Sequence, residues 1–75
     1  MEGPAIYRIR IEGCIDPKWS SRLEGMNVTS NAGERGQKES ILVGRLADQA
    51  ALAGVLSTLY EMHRPVLSVE CLEAG

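Results

Sequence analysis

The chain has 75 residues, a formal net charge of −2 and 24% charged residues, which is an ordinary surface for a small globular protein. This charge balance argues against a nucleic-acid-binding module, which usually carries a basic stripe. No apolar run approaches the length of a membrane span and no secretory pattern opens the chain, so we expect a cytoplasmic protein without a membrane partner.

The first predicted strand covers residues 7–12, where apolar and polar residues alternate without interruption. Alternation with a period of two is typical of a strand that has one buried and one wet face. Tyr7, Ile9 and Ile11 would form the buried face. The intervening side chains would face outward, where Arg8 and its neighbours can pair with glutamates across strands.

Asp16 and Pro17 predict the start of a short helix. An aspartate carboxylate accepts a free backbone N–H at a helix start, and proline suits the first helical position. Trp19 and Leu23 are four residues apart, so they would share one face of a helix that ends near Gly25. A helix this short is unstable alone, and we therefore expect Trp19 to hold it against the sheet.

Two further strands are predicted over residues 26–30 and 40–44. The second is β-branched and apolar on both faces, which favours a central position in a sheet. The polar stretch between them, residues 31–38, contains two glycines and predicts the loop of a hairpin.

The main helix is predicted to begin after Asp48, its N-cap, and to run from about residue 49 to residue 62 or 63. Its apolar stripe has the spacing of an amphipathic helix and consists of Leu52, Val55, Leu56 and Leu59. Gly54 lowers the stability of such a helix by about 1 kcal/mol relative to alanine, so we expect it to allow the close approach of another backbone.

Pro65 ends the helix, and the last strand is predicted over residues 66–72. Its alternation assigns one face to Leu67, Val69 and Cys71. The other face would carry Val66, Ser68, Glu70 and Leu72.

The succession of elements predicts an α+β domain with a single-layer antiparallel sheet and two helices on one face. Two β-α-β halves joined by a hairpin form the β-α-β-β-α-β, ferredoxin-like arrangement. In this topology the first strand pairs antiparallel with the last. We expect residues 1–75 to form a single domain, with a flexible N-terminus over residues 1–4.

The residues that could carry chemistry are few. Cys14 and Cys71 are far apart in sequence and lack metal-ligand spacing, so we expect two reduced thiols, no metal and no cofactor. His63 lies at the end of the main helix, and its pairing with either cysteine has no support from the sequence. Cys71 alternates with polar neighbours and is interpreted as a core residue. Residues 33–36 match no phosphate-binding motif and indicate a solvated turn. No catalytic residue is assigned, and we do not expect an enzyme.

Four residues are candidates for a ligand site or an interface: Trp19, Asp48, Gln49 and Gly54. Trp19 could line a ligand site or an interface, although the favoured interpretation is a tryptophan that fills the core and anchors the short helix to the sheet. Asp48 and Gln49 mark the start of the main helix, where a small molecule could bind. Gly54 is the expected point of close backbone approach.

The sequence resembles a family of short prokaryotic proteins of unknown function. The shared elements are Tyr7-Arg8-Ile9-Arg10, Gly13, Asp16, Trp19-Ser20, Gly25-Met26, Asp48-Gln49-Ala50-Ala51-Leu52, Gly54 and 65–69. The family pattern is Y-x-I-R, D-x-x-W-S, D-Q-A-A-L-x-G and P-L-L-S-V in that order. This chain departs from it in the hairpin loop and at Cys14, where the pattern often has histidine. The resemblance implies a prokaryotic, cytoplasmic protein and supplies no activity.

A weaker resemblance is to the ACT-type regulatory domains. Residues 48–70 are similar to their turn, helix and following strand, but Gln49 and Ala50 stand where those domains normally have Pro-Gly. We take no binding residues from this resemblance.

The function expected from these observations is a small non-catalytic protein-interaction module. The core is thin, with no phenylalanine and three aromatic residues, Tyr7, Trp19 and Tyr60, so the domain would gain stability from self-association as a homodimer. An unidentified protein partner is the other expectation. The alternative function is a small-molecule sensor of the ACT type. An enzyme that uses Cys14 or His63 is the third hypothesis, and it requires a thiolate of lowered pKa.

Overall fold

A computed structural model describes residues 4–32 and 36–74. The elements, in chain order, are β1 (Ala5–Glu12), a 3₁₀ helix (Pro17–Leu23), β2 (Asn27–Ala32), β3 (Lys38–Leu46), α1 (Gln49–Glu61) and β4 (Val66–Ala74). The four strands form one antiparallel sheet in the order β2-β3-β1-β4. The predicted α+β class, the central position of the third strand and the antiparallel pairing of the first strand with the last are confirmed.

The ferredoxin-like prediction is not matched in full, because the first helical element is a 3₁₀ helix and α1 is the one main helix within the described ranges. Asp16 caps the 3₁₀ helix as predicted, accepting a hydrogen bond from the Lys18 N–H at 3.0 Å. Side chains three residues apart are aligned in a 3₁₀ helix, whereas the predicted pair is four apart. Leu23 is accordingly fully buried, while Trp19 is only partly buried.

One face of the sheet carries the core. Tyr7, Ile9 and Ile11 of β1 are buried on this face, as their alternation predicts. Leu42 lies opposite Ile9 across the β1–β3 pair and is fully buried. The helical elements contribute Leu23, Val55 and Leu59, which are also fully buried. The two helices therefore cover the same side of the sheet.

Gly44 of β3 lies in close contact with Met26, the residue that precedes β2. A Cβ atom at Gly44 would lie 3.0 Å from the Met26 Cα and 3.0 Å from its Cγ. Met26 is fully buried, so it has little room to move away. A side chain at position 44 would therefore force Met26 to shift.

Ser40 is a buried polar residue of β3, and its hydroxyl links β3 to the loop that follows β1. Its Oγ accepts a hydrogen bond from the Ile15 N–H at 3.0 Å and donates one to the Gly13 carbonyl at 2.8 Å. Both backbone groups belong to the segment that leaves β1. Since a buried polar group is costly without partners, this double hydrogen bond fixes the loop against the sheet.

The β2–β3 hairpin is longer than its alternation predicts. β2 continues to Ala32 and β3 begins at Lys38, and these two residues pair with each other. The predicted loop over residues 31–38 is wrong at its ends, because backbone pairing continues through polar residues that carry no hydrophobic pattern. Residues 33–35 of that loop, and residues 1–3 of the predicted flexible N-terminus, lie outside the described residues.

α1 begins and ends close to its predicted bounds. The Asp48 Oδ1 accepts a hydrogen bond from the Ala51 N–H at 2.8 Å, so Asp48 is the N-cap as predicted. The helix ends at Glu61, and His63 has a left-handed backbone with φ of 57°. Neither helical element in the described part of the chain is long and apolar enough to cross a membrane.

β4 departs from the regular alternation that the sequence predicts. Its pairing with β1 shifts between Arg10 and Ile11 and again between Ile6 and Tyr7. Val66, Val69 and Cys71 thereby pair with residues of the buried face of β1. The predicted grouping of Val66 with Ser68 is wrong, because the shift inserts Leu67 between them and resets the alternation.

Candidate interaction surface

β4 is an edge strand whose apolar side chains remain in water. Val66, Leu67, Val69 and Leu72 are each 40–48% exposed, and Tyr60, near the end of α1, is 81% exposed. We call these five residues the apolar edge. An exposed apolar edge strand is a ready template for pairing with another chain.

The apolar edge is uncovered because of where α1 lies. α1 packs against β3 and the 3₁₀ helix, on the half of the sheet away from β4. Ile9 is fully buried, whereas Val69, its cross-strand partner on β4, is 41% exposed. The buried face of the sheet therefore ends at β1, and β4 extends beyond the helical layer.

A groove of about 390 Å³ adjoins the apolar edge at the junction of α1 and β4. It is lined by Tyr60, Glu61, His63, Arg64 and Pro65. The Pro65 carbonyl accepts a hydrogen bond from the Glu12 N–H at 3.0 Å, which ties the start of β4 to the end of β1. The Arg64 guanidinium lies at the place that a side chain on Gly13 would occupy. This junction is thus held by backbone and side-chain contacts.

The open face of the sheet carries paired charges. Arg8 donates a hydrogen bond to Glu70 at 2.9 Å, which confirms the predicted type of cross-strand pair. Arg10 donates hydrogen bonds to both carboxylate oxygens of Glu39, from Nε to Oε1 at 3.3 Å and from Nη2 to Oε2 at 3.1 Å. Each guanidinium is therefore occupied by a carboxylate of the same chain and presents little net positive charge to a phosphate backbone.

Trp19, the first sequence-predicted candidate, packs against the core from the 3₁₀ helix and remains partly exposed. The Arg22 guanidinium lies over its ring, 5.3 Å from the centroid. Together with Lys18 and Ser21 they line a shallow hollow of about 340 Å³. The contacts of Trp19 with the core agree with an anchoring role for this side chain.

The other three candidates are Asp48, the N-cap of α1, and Gln49 and Gly54 on the helix itself; all three are exposed. The Asp48 carboxylate is engaged in capping the helix. The close approach expected at Gly54 is wrong: a Cβ atom there would have no atom within 4 Å. Gly54 faces away from the sheet, and the structure does not bring these residues together with Trp19 into one site.

The two cysteines are free thiols, and both are exposed. The interpretation of Cys71 as a core residue is wrong, because it lies on β4 beyond the cover of α1. Cys14 borders a hollow with Ser30, Asn31 and Lys38, among others, whereas His63 borders the groove beside the apolar edge. No group of three His, Cys, Asp or Glu residues suited to a metal ion occurs among the residues described.

The apolar edge was missed by reasoning from the sequence. The alternation of residues 66–72 indicates a strand with a buried face, and it contains no information on whether a helix covers that face. The available signal was helix length, since 13 residues of α1 and seven of the 3₁₀ helix are short cover for four strands. Tyr60, an aromatic residue off the apolar stripe of α1, was a second signal.

Comparison with known proteins agrees with the uncharacterised family indicated by the sequence. No curated protein and no solved structure matched the chain. A family model described as a domain of unknown function (DUF8691) matches residues 6–70. This match runs from β1 into β4 and includes the groove and most of the apolar edge. The chain therefore belongs to this family of domains of unknown function.

Proposed function

We propose that this protein is a non-catalytic protein-interaction module that binds its partner through the apolar edge. The observation that carries the proposal is the exposure of Val66, Leu67, Val69 and Leu72 along one edge strand, beside Tyr60. Exposed apolar surface of this extent marks binding sites in small monomeric proteins. Scattered single hydrophobic residues would need no such explanation.

The edge offers two kinds of contact at once. The outer side of β4 presents backbone N–H and C=O groups, which a strand of another chain can pair with by β-augmentation. The apolar side chains supply the desolvated area that gives such pairing its affinity. Tyr60 adds an aromatic side chain, a residue type enriched at the centres of interfaces.

The interaction proposal needs no catalytic step. Cys14 and His63 border different concavities, and Cys71 is an exposed residue of β4. A nucleophile requires a base within hydrogen-bond reach and a group that orients the base. An interaction module accounts for the exposed edge without such an arrangement.

Surface footprinting in a cell extract tests this proposal. The chain is labelled by a carbene reagent, once as dilute purified protein and once in extract from its source organism. We expect labelling in the extract to fall at the apolar edge and to stay constant at Trp19, which serves as the internal reference. Equal labelling of the edge in both samples would contradict the proposal.

A small-molecule sensor is the second candidate, and the groove beside the apolar edge favours it. Its volume of about 390 Å³ falls in the lower part of the range for ligand pockets, roughly 300–1,000 Å³. His63 and Arg64 provide polar groups next to the Tyr60 ring. The weak resemblance to ACT-type domains favours the same sensor function. In this protein, however, the groove would place the ligand at the end of α1 and not near Asp48.

Native mass spectrometry of gently purified protein separates the two candidates. A defined extra mass that is lost in a Tyr60→Ala variant would favour the sensor. The matched control is Ser57→Ala, which changes another exposed residue of the same helix.

The wider assignment forms part of the same proposal. The family resemblance supports a prokaryotic, cytoplasmic protein. The central position of β1 and β3, and the placement of both helical elements on one face, support a ferredoxin-like sheet. An interaction module in such a setting would act by holding partners together.

A further inference from the structure

We infer that the partner of the apolar edge is a second copy of this chain. The two β4 strands pair antiparallel about a twofold axis at Val69, and the two sheets become one sheet of eight strands. This inference rests on the proposed function, since it names the partner of the same surface. Four properties of β4 support it: its backbone, its side-chain register, the faces that the pairing brings together and the area available.

The backbone of β4 is suited to receive another strand at its middle. Between the two register shifts, residues 68–71 pair regularly with β1. β4 has nine residues and contains neither proline nor lysine. Proteins protect exposed edge strands with these residues, with short strands or with bulges that twist the edge away. Here the two shifts lie on either side of residues 68–71, and this regular segment carries one charged residue, Glu70.

Side-chain register selects Val69 as the centre. In an antiparallel pair centred there, Val69 lies opposite Val69 of the other copy, and Glu70 lies opposite Ser68. A pair centred one residue later would place Glu70 opposite Glu70, and like charges directly opposite each other are destabilising. In the register centred on Val69, Glu70 keeps its ion pair with Arg8 of its own chain and meets no second carboxylate.

The same register keeps the two helical layers on one side of the joined sheet. Within the regular segment, a centre on Val69 places each residue opposite a residue of the same face, so the apolar face of one β4 meets the apolar face of the other. Val66, Val69 and Cys71 of both copies would then form one strip between the two α1 helices. This strip is the part of each sheet that its own α1 leaves uncovered.

The exposed area is sufficient for a symmetric dimer. The five residues of the apolar edge leave on the order of 500 Å² of side-chain surface in water. A twofold interface uses this patch twice and buries roughly 1,000 Å², the lower bound for a specific interface. Burial of the paired backbones adds to this area.

Sedimentation equilibrium of the full chain tests the inference with two matched variants. Val69→Lys places two like charges at the twofold axis, and Thr29→Lys makes the same change at an exposed position of β2, the opposite edge. We expect the wild-type chain and Thr29→Lys to dimerise with the same constant, and Val69→Lys to weaken dimerisation by at least about tenfold. Circular dichroism confirms that both variants are folded.

Disulfide cross-linking tests the register. In a Cys14→Ser, Cys71→Ser background, Val69→Cys places two thiols directly opposite each other. Cα atoms of such a pair are about 4.5–5.5 Å apart, within disulfide range. We expect rapid oxidation to a covalent dimer for Val69→Cys and none for Thr29→Cys. The wild-type Cys71 would lie four residues away from its twin, roughly 13 Å along the strand, and should not cross-link.

The outcomes distinguish this inference from the proposed function. A wild-type chain that stays monomeric at about 500 μM overturns the second-copy inference; loss of edge labelling in extract would still support an interaction module. The inference is also overturned if Thr29→Lys dissociates the dimer and Val69→Lys leaves it intact. A dimer cross-linked through Cys71 and not through Val69→Cys overturns the register.

Discussion

Gly44 and Gly54 have opposite environments, although both interrupt otherwise well-formed elements. A side chain at position 44 would press on the backbone of Met26, whereas position 54 is open to solvent. The sequence identified the wrong one of the two as the site of close approach. A glycine within a helix and a glycine within a strand look alike in sequence, and the neighbour that decides their role comes from a distant segment.

Gly54→Ala is expected to stabilise the monomer by about 0.5–1 kcal/mol. Alanine has the higher helix propensity and reduces the conformational entropy of the unfolded chain, and it meets no atom at this position. Urea denaturation of the dilute protein measures the change. A loss of stability would contradict the open environment of position 54.

Gly44→Ala is expected to destabilise the domain by about 1–3 kcal/mol, since the added methyl group must displace a fully buried methionine or its backbone. The same denaturation series measures it. A Gly44→Ala, Met26→Ala double variant provides the control. If the contact is the cause, the second change should cost less in the Gly44→Ala background than in the wild type.

At the scale of elements, the helix starts follow local rules and the strand ends do not. Asp16 and Asp48 both cap their helices through the hydrogen bonds that their position in sequence predicts. The type of the first helix, 3₁₀ instead of α, and the ends of β2 and β3 were wrong. Capping depends on residues two or three positions away, while strand ends depend on a partner strand whose register no local pattern specifies.

Asp48→Ala is expected to destabilise the domain by about 1 kcal/mol, because the Ala51 N–H loses its acceptor at the start of α1. Asp48→Asn keeps a side-chain acceptor and should change stability by only a few tenths of that amount. Thermal unfolding of both variants checks the prediction. If Asp48→Asn lost as much stability as Asp48→Ala, the charge of Asp48 would matter more than its hydrogen bond.

At the scale of the whole molecule, stability and association are expected to be linked. If two copies join at β4, the folded state gains free energy by mass action as concentration rises. The melting temperature of the wild-type chain should then increase by on the order of 5 °C for a hundredfold rise in concentration. Val69→Lys should remove this dependence, and differential scanning calorimetry at several concentrations measures it. A melting temperature that is independent of concentration for both would contradict self-association.

The sequence by itself determined the features that depend on near neighbours along the chain. These are the α+β class, the buried face of β1, the two helix caps and the extent of α1. Each arises from periodicity or from hydrogen bonds that span a few residues.

Only the tertiary structure decided which face of which strand is covered. α1 lies over β3 and the 3₁₀ helix, and so β4 is left with Val69 and Cys71 in water although both alternate like core residues. The register shifts in β4 likewise arise from its pairing with β1. The candidate surface is therefore a consequence of how far a short helical layer extends across a four-stranded sheet, and that distance is set by contacts between segments remote in sequence.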